Sequence, residues 1–176
     1  MFTKVLVPLD GSRLAECALA TVINMAREGS IGEVILLSIA EVKLPIADFA
    51  FSESGIAPGF DFQELRHTKL DKYHNYLGRV EAQLSSEGIK AETVVVENST
   101  AAKYIADFAE EIDADLIVMA THGYTGMKKL FLGSVAAKVV NESRIPVLLI
   151  RPEATLHDRS TPRVYEAKSA GRSLHL

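Results

Sequence analysis

The sequence predicts an α/β fold, a single doubly wound sheet of five parallel strands, and three observations carry that prediction. Short apolar runs rich in strand formers, among them Val5-Leu6-Val7, Val34-Ile35-Leu36-Leu37 and Leu116-Ile117-Val118-Met119, read as strands buried on both faces. Between them lie stretches with apolar residues three and four apart, the spacing of an amphipathic helix. Strand and helix alternate from end to end, which implies crossover connections and a parallel sheet. The 176 residues suit one domain with a sizeable core.

Taken in order, the first strand is expected over Lys4 to Asp10, with Pro8 near its end because proline donates nothing to a ladder. Gly11 turns the chain, and Ser12 is the N-cap of a helix whose stripe is Leu14, Cys17, Ala18, Val22 and Met25. Gly29 stops that helix, and Val34 to Ala40 makes the second strand. From Glu41 to about Asp61 the pattern breaks, punctuated by Pro45, Gly55, Pro58 and Gly59 among three phenylalanines. This segment reads as a long loop or short irregular helix over the C-terminal edge of the sheet, either a binding segment or a plain excursion. Leu70, Tyr73, Leu77, Val80 and Leu84 predict a long helix over Phe62 to Glu87, ended by Gly88.

Glu92 to Val96 is the third strand, and Ser99 or Thr100 caps a helix that buries Ala101, Ile105, Phe108 and Ile112. The fourth strand opens at Leu116, a glycine-bearing loop follows, and a helix runs from Ser134 to about Glu142. Ile145 to Ile150 is the fifth strand, and Pro146 makes it start late or lie at an edge. Beyond Arg151-Pro152 the composition turns polar. Residues 1–152 are therefore expected to form the domain, and Glu153 to Leu176 a disordered tail.

The bulk numbers exclude several functions. A net charge of −4 and a pI near 5.7 argue against nucleic acid as a partner. No apolar run is long enough for a membrane span, and the N-terminus reaches Asp10 too soon for a signal-peptide core. Cys17 is the only cysteine, which fits a cytoplasmic protein and reads as a small buried hydrophobe. No Cys/His spacing suits zinc, so no metal site is expected from protein ligands.

The chemistry concentrates between Leu116 and Val140. A buried strand, then Gly123, Gly126 and Gly133, then Ser134 at a helix start is an arrangement that holds an anion. The first N–H groups of a helix have no internal partner, and the helix dipole favours negative charge there. Glycines let a phosphate approach the backbone. The plainer alternative is turn chemistry alone.

Gly123, nine residues, Gly133 and Ser134 resemble the phosphate loop of the universal stress proteins, with Ala120 standing where that family has its first glycine. Gly126 lies outside the pattern. Pro8-Leu9-Asp10-Gly11-Ser12, Gly133-Ser134-Val135 and Ile145-Pro146-Val147-Leu148 match further segments, so the resemblance covers Phe2 to Arg151. It implies a Rossmann-like fold, similar to the adenine nucleotide alpha-hydrolases, with strand order 3-2-1-4-5. The crevice where that order reverses lies between strands one and four.

The resemblance also implies ATP, with Mg²⁺ on its phosphates, at Pro8, Leu9, Asp10, Ile39, Met119, Ala120, His122, Gly123, Gly133, Ser134 and Val135. The Gly123 to Ser134 loop would hold the phosphates, Asp10 the ribose or adenine, and the Ile39 backbone the adenine edge. Asp10 has an alternative role bracing the turn into the first helix, and Ser134 one as an N-cap. Lys128 and Lys129 read as solvated charges. His122 is the sole local base candidate, and no convincing nucleophile–base pair accompanies it, so no catalytic residues are assigned.

An edge strand over Ile145 to Ile150, apolar on both faces, leaves an unpaired ladder, and the resemblance implies a homodimer through Val147 to Ile150 that pairs the last strands across a two-fold axis. The expected protein is a dimeric, ATP-dependent stress-response switch with a protein partner. The alternatives are a family member that acts through partners without binding ATP, and a slow ATPase or other adenine-nucleotide enzyme. A response-regulator receiver is excluded because strand three runs into Glu97-Asn98 instead of a phosphoacceptor aspartate.

Overall fold

In the computed structural model, which describes residues 1–41, 62–121 and 132–151, strands and helices alternate as the periodicities require. The strands are β1 (Phe2–Pro8), β2 (Ile31–Ala40), β3 (Ala91–Glu97), β4 (Leu116–Ala120) and β5 (Val147–Ile150). The helices are α1 (Cys17–Arg27), α2 (Phe62–Ser86), α3 (Ala101–Glu111) and α4 (Ser134–Glu142). All strand pairs are parallel, in the order β3-β2-β1-β4-β5, the expected doubly wound sheet.

Alternation along β1 shows how the sheet divides the core. Val5, Val7 and Leu9 face one layer with Ala18 and Val22 of α1 and Leu77, Val80 and Leu84 of α2. Leu6 faces the other, with Ile105 and Ala109 of α3 and Ala136 and Val139 of α4. Burial on both faces is why the strand sequences are continuous apolar runs. Tyr76, on the buried face of α2, belongs to the first layer beside the stripe read from sequence.

Several boundaries differ from expectation. β1 begins at Phe2 and ends at Pro8, so Asp10 stands two residues beyond the strand. β2 begins earlier too, at Ile31, because Gly29 closes α1 with φ +71° and lets Phe2 N–H donate to Ser30 O at 2.7 Å. Ser12 is not the N-cap of α1. Cys17, Ala18 and Leu19 N–H donate to carbonyls three residues back, a tight turn that precedes the α-helix proper. β5 starts at Val147 with Pro146 just before it, and it is an edge strand. The expectations for Glu41 to Asp61 (Glu41 itself apart) and for the tail from Glu153 lie outside the described residues.

Candidate functional site

β1 and β4 are neighbours at the point where the strand order reverses, and their carboxyl ends open on one crevice. On the β1 side the chain is pinned residue by residue. Leu9 N–H donates to Leu37 O at 2.8 Å, and the buried Ser38 hydroxyl donates to Leu9 O at 2.8 Å. Gly11 then takes φ +81°, a conformation a Cβ would disfavour. Ser12 N–H donates to Asp10 Oδ1 at 2.9 Å, an Asx-turn, and the Ser12 hydroxyl accepts from Ala15 N–H at 3.1 Å. Asp10 therefore braces the turn with one carboxylate oxygen while its side chain stays exposed at the crevice.

On the β4 side, Met119 and Ala120 are buried and pair with Leu149 and Ile150. Thr121 N–H donates to Ile150 O at 2.8 Å, and Gly133 N–H donates to Thr121 O at 2.7 Å. The loop that leaves β4 thus returns to its own starting point before α4 begins. Gly133 is the N-cap of α4, not Ser134, and among the described residues no side chain caps the helix. Ser134 and Val135, in the first turn, are exposed. His122 and Gly123 lie outside the described residues, as do Gly126, Lys128 and Lys129.

Ser134 and Val135 line a cleft of about 210 Å³ with Lys138, Glu41 and residues 99–102 at the start of α3. The N-termini of α3 and α4 therefore face one space. Thr100 is the N-cap of α3, but its hydroxyl donates to Asn98 Oδ1 at 2.9 Å instead of capping the helix. Ile39, half-buried near the end of β2, packs in the layer under α3 and α4. Pro8 is half-buried and Leu9 buried at the end of β1.

Two features escaped sequence reasoning. Tyr73 of α2, read only as a core residue, has its hydroxyl pKa raised by burial and further by the carboxylates of Asp10 and Glu41. Lys69 and Arg66 on the same helix reach the strand ends, donating to Glu41 O and pairing with Glu97. The other feature is Ser38, whose place inside an apolar run carries no sequence signal.

Burial raises the Cys17 pKa, so its reactive thiolate form is suppressed, and its sulfur sits 4.0 Å from Ile150 O. Among the described residues no group of three or more His, Cys, Asp or Glu side chains is arranged to hold a metal. Nor is any helix among them long and apolar enough to cross a membrane.

The pattern that defines the universal stress protein family matches residues 1–151. The chain belongs to that family. It is 32% identical over 153 residues to universal stress protein YxiE of Bacillus subtilis, covering 86% of this chain and 100% of that one. Among solved structures, MJ0577 of Methanocaldococcus jannaschii superposes with a TM-score of 0.70 at 28% identity, over 87% of this chain and 98% of that one. A universal stress protein family member from Arabidopsis thaliana, solved with AMP bound, shares the fold at a TM-score of 0.60 and 18% identity, over 86% and 93% of the two chains. So does a universal stress protein in complex with cAMP, at 0.53 and 19%, over 85% and 97%. Structural relatives of this universal stress protein thus bind adenine nucleotides.

Proposed function

We propose that this chain is an ATP-binding universal stress protein, a regulatory switch and not a metabolic enzyme. The observation that carries the reading is convergence. Asp10 beyond β1 and the uncapped start of α4 beyond β4 flank the one crevice the topology creates. The residues fit the ligand. Among the described residues no side chain caps the first-turn N–H groups of α4, which would serve phosphate oxygens, and the exposed Ser134 hydroxyl adds a donor. Asp10 keeps acceptor capacity for a ribose or adenine donor, since a carboxylate accepts several hydrogen bonds. Ile39 would meet the adenine edge through its backbone, with Pro8, Leu9, Met119 and Val135 shaping the surroundings. His122 and Gly123 would complete the phosphate loop with Gly133. Mg²⁺ would travel with the phosphates, neutralising charge between them.

The remaining assignments follow from the same reading. Residues 1–152 form the functional unit, with 153–176 as a tail. β5 pairs with a second copy, because among the described residues no strand covers its outer ladder and both of its faces are apolar. Nucleotide binding changes the surface offered to a protein partner around Glu41, where Lys69 ties α2 to the end of β2. The protein acts in the cytoplasm.

The test is direct. Freshly purified protein is denatured and the supernatant assayed for ATP, ADP and AMP, and nucleotide-free protein is then melted with and without ATP. A ligand that binds only the native state adds about 2.7 kcal/mol at a hundredfold excess over Kd. ATP is expected to raise the melting temperature, and Gly133→Val, which crowds the phosphate loop, to remove the rise. An unshifted melt in millimolar ATP would favour a second reading, a member that acts through partners without nucleotide. One observation supports that alternative: the buried Ala120 puts a Cβ where the family pattern has glycine.

A further inference from the structure

We propose that Ser38 is a positioning residue for the nucleotide site, acting on Asp10 through the carbonyl of Leu9. The inference rests on the nucleotide-binding reading, but its structural half stands without it. Tyrosines aside, Ser38 is the only polar residue buried among those described, in the middle of a strand that is otherwise apolar there. A buried hydroxyl in such a place needs a partner, and this one donates to Leu9 O at 2.8 Å, across to the segment that follows β1.

The consequence lies in where that carbonyl belongs. β1 has ended at Pro8, so no further β1–β2 pairing holds the chain beyond Leu9 N–H, which donates to Leu37 O. The peptide unit from Leu9 O leads straight into Asp10, and the Gly11 turn with φ +81° follows. Leu37 O and the Ser38 hydroxyl therefore grip Leu9 from both of its polar ends. The Asx-turn from Ser12 N–H to Asp10 Oδ1 is built on that anchored residue. Ser38 also precedes Ile39, whose backbone is proposed to meet the adenine. One hydroxyl thus sets two walls of the crevice relative to each other. Without it, Leu9 O loses its buried donor and must rotate towards another, carrying Asp10 with it.

The test uses the full chain and ATP as probe. Ser38→Ala is expected to weaken ATP binding by about tenfold, the loss that follows from disturbing one hydrogen bond to a charged acceptor. In an Asp10→Ala background the same change should cost less than about twofold, because residues acting through one another are not additive. In ligand-free protein, hydrogen exchange at Ser12 N–H should accelerate in Ser38→Ala. A remote core change of matched melting temperature, Leu84→Val, should leave both readouts as in wild type. Ser38→Cys, close in size with a weak donor, should fall between, and it substitutes for Ser38→Ala if that variant does not fold. Unchanged affinity with unchanged Ser12 exchange would overturn the proposal, as would a full additive loss on top of Asp10→Ala. Wild-type protein that binds no adenine nucleotide would instead overturn the functional reading. The Ser12 exchange rate would then decide alone whether Ser38 positions the turn.

Discussion

The two ends of the sheet are built to different rules. At the amino ends of the strands the connections are residues 28–30, 87–90, 112–115 and 143–146, each a tight reversal. Gly29 and Gly88 take φ +71° and +75°, and each closes its helix with bonds back into the last turn, Gly29 N–H to Ala26 O and Gly88 N–H to Ser85 O. At the carboxyl ends three of the four connections are longer, 9–16, 41–61 and 121–133, and this end presents Asp10 and Ser134 to solvent. One end satisfies its polar groups internally and carries stability. The other presents helix starts and the exposed Asp10 carboxylate, which accepts from Ser12 N–H, at the end where open α/β sheets bind ligands. Substitutions at the two ends should therefore separate stability from affinity.

The largest separation is expected at Gly32, on the amino side of β2. A Cβ there would stand 2.7 Å from Thr3 O, a backbone atom of the paired strand. Gly32→Ala must shift β1 against β2 and should cost about 1–3 kcal/mol of stability. Measured on the folded fraction, ATP affinity should stay at the wild-type value. A drop in affinity matching the drop in stability would mean that the two ends are not independent. Asp10→Ala, at the other end, should do the reverse. Losing a charged acceptor should weaken ATP binding by about 1.5–3 kcal/mol in calorimetry, tenfold or more. The melting point without ligand should change little, because Ser12 N–H can turn to water at an exposed site. Unchanged affinity in a folded Asp10→Ala protein would leave Asp10 as a turn brace only.

That contrast also explains what the sequence could convey. Strand and helix alternation and the late start of β5 were legible because each depends on periodicity or on proline and glycine at element ends, while the strand order came with the family resemblance. The strand order that the resemblance implies, together with the alternation read from periodicity, was enough to bring Asp10 and Ser134 to one end of the sheet. What stayed hidden depends on tertiary neighbours. Ser38 is one serine in an apolar run until Leu9 O is opposite it, and Gly32 is an unremarked strand residue until Thr3 O lies beneath it. Ser12 followed the rule for an N-cap, yet its hydroxyl serves a turn that precedes the helix. Tyr73 matched the helical stripe and was read as core, although its hydroxyl lies within the influence of Asp10.

A smaller effect distinguishes the turns of the amino end from one another. Asp113 takes φ +52° where Gly29 and Gly88 serve α1 and α2, and Ala114 N–H donates to Ala109 O at 2.9 Å across it. A side chain in the left-handed region carries a cost that glycine does not, partly offset by the flexibility glycine adds to the unfolded chain. Asp113→Gly should therefore raise stability by about 0.5–1 kcal/mol in denaturant melts, with nucleotide affinity unchanged. A destabilised Asp113→Gly protein would show that the aspartate side chain contributes more at this turn than its backbone costs.

The smallest effect belongs to Asp115, and it tests whether the amino end is held by charge as well as by turns. Its Oδ2 accepts from Thr3 N–H at 2.6 Å and Lys4 N–H at 2.9 Å, and its own N–H donates to Lys4 O at 2.8 Å. The Lys4 N–H, then the Thr3 N–H, hold its carboxyl below the ordinary value of 3.8. A carboxylate whose folded pKa is depressed contributes stability that is present above the unfolded pKa. That contribution is lost as pH falls from there through the lower folded value. The side chain is exposed, so solvent screens the interaction, and its effect should fall below those at Gly32, Asp10 and Asp113. Asp115→Asn keeps an acceptor oxygen but removes the charge. Its melting temperature should therefore lie below wild type at neutral pH, and the gap should narrow as the medium is acidified past pH 3.8. Melting curves recorded from neutral pH to about pH 2 make the comparison, since that range spans both protonation states. A gap that stayed constant across it would mean that shape alone, and not the carboxylate charge, ties β4 to the start of β1.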